Sequence, residues 1–281
     1  MFVFFDGSSL LRPIMHPHVR SELLPTLGTA LSHGYLVSGF LPTRIVFPAI
    51  VAILKGPHVQ IPTAILRSCF VDYVSIVDAA LLNEAMKPQQ PFDTKLKTRL
   101  VNLFSRFDCR EVPTPSNILL LIDQVSQYEF VTKPMAPIVM MNQGIPAEER
   151  RFWQSMSVCR LYDLYKAMLT TPSKLLQMIE EPFFNSPSEE CVFGYLQQFV
   201  GNMSMDNAQR FLRFVTGSSV AVCRQITVEF NALSGLARCP IVHTCTPVLE
   251  LSTTYHTYVE FASEFQRVLA DEHYAWLMDS V

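Results

Sequence analysis

The chain has no C-x-x-C pair, no block of lysine and arginine, no low-complexity segment and no internal repeat. Each absence removes a class of protein. Without paired cysteine knuckles, the usual zinc frameworks lose their signature. A formal net charge of -3, with no basic cluster, provides no electrostatic footprint for nucleic acid or for an anionic membrane surface. The longest apolar runs, Ile45 to Leu54 and Ile118 to Ile122, are too short to span a bilayer, and the first contains Pro48. The opening Met1 to Asp6 lacks the basic start and the length of a secretory signal. Seven cysteines are an odd number, spread over a chain large enough to fold without staples. A reducing, intracellular setting in cytoplasm or nucleus is therefore expected.

What is present is apolar periodicity. Of 281 residues, 49% are hydrophobic and only 17% charged, which argues for folded protein throughout and leaves room for two modest domains. Phe2 to Phe5 reads as a strand with Asp6-Gly7-Ser8-Ser9 as its turn, and its abrupt start leads us to expect that preceding structure is missing. Leu23, Leu24, Leu27, Ala30 and Leu31 predict an amphipathic helix over about 19–33, with Gly34 as its stop and His33 complementing the dipole at its end. Pro48 opens a helix with Ile50, Val51, Ile53 and Leu54 as its face and Gly56 as its close. Further helices are predicted over about 72–86 and 94–107, the second buried through Leu96, Leu100, Leu103, Phe104 and Phe107. Thr114-Pro115 caps another bearing Ile118, Ile122 and Val125. The segment 134–144 then gathers Met135, Met140, Met141 and Ile145, which either fill a core or form an adaptable docking surface. Residues 147–168 read as helix, with Ser157 as a second cap.

Leu169-Thr170-Thr171-Pro172-Ser173 interrupts the pattern and divides the chain into lobes 1–168 and 174–281, with 169–173 as a hinge. Beyond it, Ser186-Pro187-Ser188-Glu189 is a capping box before Val192, Tyr195, Leu196, Phe199 and Val200. A helix after Ser204 stops at Gly217, and Ile226, Val228 and Phe230 alternate as a strand. Thr257-x-x-Glu260 is a second box before the final stripe of Tyr258, Phe261, Phe265 and Val268. The class is α+β.

The stretch Pro240 to Pro247 carries the chemistry. Read as extended, it puts Ile241, His243 and Cys245 on one face, and Pro247 ends regular pairing just after the cysteine, leaving the sulfur near a strand end or loop. Cysteine offers an anionic nucleophile near neutral pH that is also a competent leaving group. The bland alternatives are a buried inert thiol and a structural histidine.

Phe211-Leu-Arg-Phe-Val-Thr-Gly-Ser-Ser219 is similar to the "FVTGS" block, and His243-Thr244-Cys245 to the "HTC" active site, of the HECT E3 ubiquitin ligases, and the chain resembles the catalytic domain of that family. Leu249 to Tyr258 and the closing helix match the segment that comes after the cysteine in that domain. In the first half, Leu27 to Gly34 resembles the family's "HG" helix, and Gly144-Ile145 sits where a "GF" pair is usual. The resemblance implies a bilobed domain: a helical, N-terminally incomplete N-lobe that docks a ubiquitin-charged E2 enzyme, a hinge, and an α/β C-lobe. It implies that Cys245 holds ubiquitin as a thioester and passes it to a lysine of a substrate protein, with His243 in support. Met140, Met141 and Ile145 would contact the E2, and no metal or cofactor is called for. The chain departs from the family at Thr246-Pro247, where Phe-Asn is common, and at its end, where Trp276 or Leu277 would stand in for a phenylalanine.

Two alternatives stay open. One is a catalytically inactive relative that binds E2 or ubiquitin as a scaffold. The other is a zinc-binding module using Cys239, His243 and Cys245, with Cys223 or Cys191 as a fourth ligand.

Overall fold

Proline and glycine punctuate the chain closely enough that most of its helices are short, and the computed structural model follows that punctuation. It describes residues 4–7, 10–15, 20–87, 91–218, 220 and 225–270. The expected positions Phe2, Ser8, Ser9, Ser219, Cys223, Trp276 and Leu277 lie outside the described residues. Among the described residues there are thirteen α-helices and two small sheets, a mostly helical α+β arrangement. The chain divides into two compact units, Met1–Ala167 and Met168–Val281.

In the first unit β1 (Phe5–Asp6) and β2 (Arg12–Pro13) form a small antiparallel pair. The helices are α1 (Leu24–Ser38), α2 (Phe47–Lys55), α3 (Thr63–Tyr73), α4 (Ile76–Ala85), α5 (Thr94–Ser105), α6 (Ile118–Gln127), α7 (Met135–Gly144), α8 (Ala147–Ser155) and α9 (Val158–Met168). In α2 every residue from Phe47 to Leu54 is buried, so this helix is the hub and not an amphipathic cover. Its end and that of α8 cap each other. Lys55 Nζ donates to the carbonyls of Trp153 (2.6 Å) and Met156 (2.8 Å), and Gln154 Nε2 donates to the Lys55 carbonyl at 2.6 Å.

Helix α1 departs most from expectation. It passes through Gly34 and stops at Gly39, whose left-handed backbone (φ 75°) closes the last turn. Its buried line is Leu24, Gly28 and Ser32, while Leu23 is exposed and Leu27, Ala30 and Leu31 are not among the buried residues. The reason is α7, which crosses so closely that a methyl group on Gly28 would overlap the Met141 carbonyl, and one on Gly144 the Pro25 carbonyl. Small residues win the interface because they let the two backbones meet, and Thr29 Oγ1 ties the crossing by donating to the Gly144 carbonyl at 2.6 Å. His33 is not at a helix end; its Nδ1 lies 3.1 Å from Glu149 Oε1. Glu149 also accepts from Ser32, which in turn accepts from the fully buried Trp153 indole at 2.7 Å.

Serine caps set two helix boundaries: the helix predicted over about 72–86 starts late, at Ile76, behind the unforeseen α3, and the stretch 147–168 divides at Ser157, the expected second cap. Ser75 accepts from Asp78 N (3.2 Å) and separates α3 from α4, and Ser157 accepts from Arg160 N (3.2 Å) and separates α8 from α9. Helix α6 continues into one wider π turn, Tyr128–Thr132, which buries Glu129 against Arg12 (2.8 Å) and Lys133 (3.1 Å).

In the second unit α10 (Pro172–Met178), α11 (Pro187–Gly201), α12 (Met205–Thr216) and α13 (Tyr258–Ala270) accompany a three-stranded sheet of β3 (Thr227–Asn231), β4 (Ile241–His243) and β5 (Val248–Ser252). Thr171 accepts from Lys174 N at 3.1 Å, so Pro172 and Ser173 are the first turn of α10, and the break expected over 169–173 narrows to 169–171. Both capping boxes form, and in each the glutamate reaches one residue further back than the cap. Glu189 accepts from Asn185 N (2.6 Å) and Glu260 from His256 N (3.2 Å). The strand order is β3-β5-β4, with β3 parallel and β4 antiparallel to β5. Val228, Val242, Leu249 and Leu251 turn one sheet face into a core of Phe211, Phe261 and Phe265. The alternation of those positions leaves Glu229, Asn231, His243 and Glu250 on the other face together with Ile241 and Val248. Among the described residues no helix is long and apolar enough to cross a membrane.

Candidate functional site

The site is best built from the hairpin between β4 and β5. Regular pairing begins with Ile241 opposite Glu250 and ends with His243 opposite Val248, so Thr244 to Pro247 form the turn. Pro247 has no N–H for the ladder, but its carbonyl accepts from Thr227 N at 2.9 Å, which fastens the far end of the turn to β3. Cys245 lies within this turn and is exposed. The sulfur is on a loop, as the proline suggested. The strand stops two residues earlier than expected, however, so alternation does not put His243 and Cys245 on one face.

A second segment meets the turn. At the end of α12 the backbone turns left-handed at Gly217 (φ 73°), and a Cβ at this position would sit 3.9 Å from the Thr244 Cβ. Thr216 Oγ1 donates to the Leu212 carbonyl (2.8 Å) and accepts from Ser218 N (3.2 Å), which locks the bend. Phe214 and Val215 are buried beneath it. The two stretches singled out in the sequence, Phe211 to Ser219 and His243 to Cys245, therefore lie side by side at Gly217 and Thr244, with room for no more than a methyl group between them.

His243 is exposed, and its Nε2 lies 2.7 Å from Glu250 Oε1. Glu250 is held below the usual carboxylate range, first by the hydrogen bond with His243 and further by one from Asn231. Neither Glu250 nor Asn231 was among the sequence candidates. The signal was there in one form: Glu250 is the lone charge in the apolar strand Val248-Leu249-Glu250-Leu251, at a position that alternation assigns to the outer face. Ahead of β4, the chain is stapled to α13 by Arg238, which pairs with Glu260 (2.5 Å) and Glu264 (2.6 Å) and lies over the Tyr255 ring at 4.9 Å. Tyr255 donates back to the Arg238 carbonyl at 2.9 Å.

The remaining sequence candidates separate. Met141 and Ile145 are buried at 1% and 2% exposure, so these two belong to the α1–α7 core and have no surface to offer a partner; only Met140 is partly accessible. Of the two readings of the methionine-rich segment, the core reading holds for them, because the glycine crossing draws α7 inward. Cys69 is buried, and desolvation pushes its thiol up to about 12, which leaves it inert. Cys159 and Cys191 are exposed like Cys245. Cys239 takes a hydrogen bond from Arg267 Nη2 at 3.7 Å. Among the described residues no three His, Cys, Asp or Glu side chains come together as a metal site, so Cys239, His243 and Cys245 do not form the zinc cluster of the alternative reading; Cys223 lies outside the described residues.

No family model matches the chain, and no curated protein matches it.

Proposed function

We propose that the chain is an acyl-carrying cysteine protein of the HECT ligase type. Cys245 takes ubiquitin from a charged E2 enzyme as a thioester and passes it to a lysine of a substrate protein. The observation that carries this reading is an exposed thiol in a short hairpin turn, fastened at one end by the His243–Val248 pairing and at the other by the Pro247 carbonyl's bond to Thr227, with the Gly217 bend beside it. A carrier sulfur needs access for two successive macromolecules and a support that keeps it in place, and the turn offers both.

The chemistry asks little else. The Cys245 thiolate attacks the thioester carbonyl, a new C–S bond forms, the old one breaks, and the E2 sulfur leaves with its electron pair. One thioester replaces another, so the exchange is close to balanced, and orientation and nucleophile supply are what the protein contributes. In this reading the helical first unit is the E2-docking lobe and the second unit the carrier lobe, with Met140 as the one accessible residue of the docking triad.

The deciding experiment incubates the purified chain with a panel of ubiquitin-charged E2 enzymes and resolves the products without reductant. The expected result is a ubiquitin adduct that dithiothreitol removes, that is lost in Cys245→Ala and that persists in Cys191→Ala. Association with E2 or ubiquitin without any adduct would establish the binding-only alternative instead. An adduct that survives Cys245→Ala would reject Cys245 as carrier.

A further inference from the structure

The outer face of the second unit's sheet carries a line of polar side chains that the motifs leave unused. Glu250 is on the central strand β5. Ile241 is its register partner on β4, and His243 pairs with Val248, so Glu250 and His243 are diagonal neighbours on the same face. On the other side, Asn231 at the end of β3 donates Nδ2 to Glu250 Oε2 at 3.4 Å. Asn231 is itself held, since its carbonyl accepts from Thr253 N (2.9 Å) and Thr253 Oγ1 (3.1 Å). One chain of hydrogen bonds, Asn231 to Glu250 to His243, thus crosses all three strands and ends at the residue that opens the cysteine turn. Glu229 is the other ionisable side chain that alternation puts on this face.

The direction of the last bond is set by its partners. An ionised carboxylate has no hydrogen to give, so a separation of 2.7 Å between Glu250 Oε1 and His243 Nε2 requires the hydrogen to be on Nε2. A histidine whose one nitrogen donates to a carboxylate has its tautomer and ring orientation set by that bond, and its other nitrogen is left as the basic atom.

We infer that Glu250 is a positioning residue for transfer from Cys245: it holds the His243 ring at the head of the cysteine turn with the hydrogen on Nε2, so that Nδ1 is the ring's proton acceptor. This rests on reading Cys245 as the acyl carrier. When a lysine amine attacks the thioester, its nitrogen bonds to the carbonyl carbon and the C–S bond breaks, with the electron pair leaving on sulfur. The amine sheds one proton, which Nδ1 accepts. Asn231 acts one step further back by steadying the carboxylate.

The test uses the full chain with two readouts. In the first, Cys245 is charged with ubiquitin from an E2, the supply is stopped, and discharge to free lysine is followed over time. In the second, long-range proton–nitrogen correlation spectra report which His243 nitrogen carries the hydrogen in the neutral ring. Glu250→Gln keeps size and shape on a partly exposed face, so the fold is retained, and Glu250→Ala removes any residual acceptor. The expected result is Nε2–H in the wild type, mixed tautomers in both variants, and discharge slowed about tenfold. Asn231→Ala is expected to slow discharge in the same direction by less. An Nδ1–H wild type, or variants that charge and discharge at the wild-type rate, would overturn the inference while leaving Cys245 as carrier. A wild type that never charges would overturn the functional reading and the role in transfer with it, and the spectra would still show whether Glu250 sets the ring.

Discussion

Gly28 and Gly144 are where single residues decide most. Each occupies a place in the α1–α7 crossing where a Cβ would run into the backbone of the other helix, and backbone cannot step aside as a side-chain end can. Gly28→Ala and Gly144→Ala are each expected to destabilise the chain by about 1–3 kcal/mol through overpacking, despite alanine's better helix propensity. Because one separation of the helices relieves both clashes, the double variant should cost less than the sum of the two, a coupling that urea denaturation of the three variants measures. Both glycines lie in stretches singled out by family resemblance, and a close backbone crossing is a sufficient physical reason for glycine at each. The same crossing explains why Met141 and Ile145 pack inward.

For the helices and strands, the most legible features were the local ones. Ser186 and Ser204 each accept a hydrogen bond from the backbone N–H three residues on, at 3.3 Å and 3.2 Å, and each starts its helix where the sequence said it would. Ser186→Ala and Ser204→Ala should each lower stability by about 1 kcal/mol, and because they cap different helices the two losses should add, as chemical denaturation of the single and double variants would show. Caps were legible because donor and acceptor lie within a few residues of one another. By the same token Ser75 escaped notice, since the apolar pattern continues across it and masks the cap at which α4 begins. The Cys245 turn stands between these cases. Pro247 announced an end to pairing, but the stop at His243 depends on the register of β4 against β5.

In the molecule as a whole, the displaced carboxylates have a consequence for acid stability. In the second unit Glu250 and Glu260 are both held below the ordinary glutamate range, Glu250 first by its bond with His243, and Glu260 first by the His256 backbone N–H and then by Arg238. A depressed native pKa means that the unfolded chain takes up the proton first. Their contribution is therefore complete above the ordinary glutamate pKa of about 4.3 and is lost as pH falls through the lower native values. Acid titration followed by NMR should show the signals of residues 225–270 losing native dispersion below that range. Glu260→Gln should flatten the dependence by removing one of the titrating groups, and an unchanged acid profile in that variant would count against the pairing.

Sequence alone determined the α+β fold class, most helix starts, the alternation of the strands, and an end to regular pairing close to Cys245. Each of these is set by interactions within a few residues: a capping hydroxyl, a proline without its N–H, the two-residue repeat of a strand. Tertiary structure alone decided which side of α1 is buried, that Met141 and Ile145 are core, that His33 meets Glu149, and that His243 answers to Glu250. Those outcomes depend on which backbones approach closely and in what register the strands align. Periodicity along one segment carries no information about the partner that will come to lie against it.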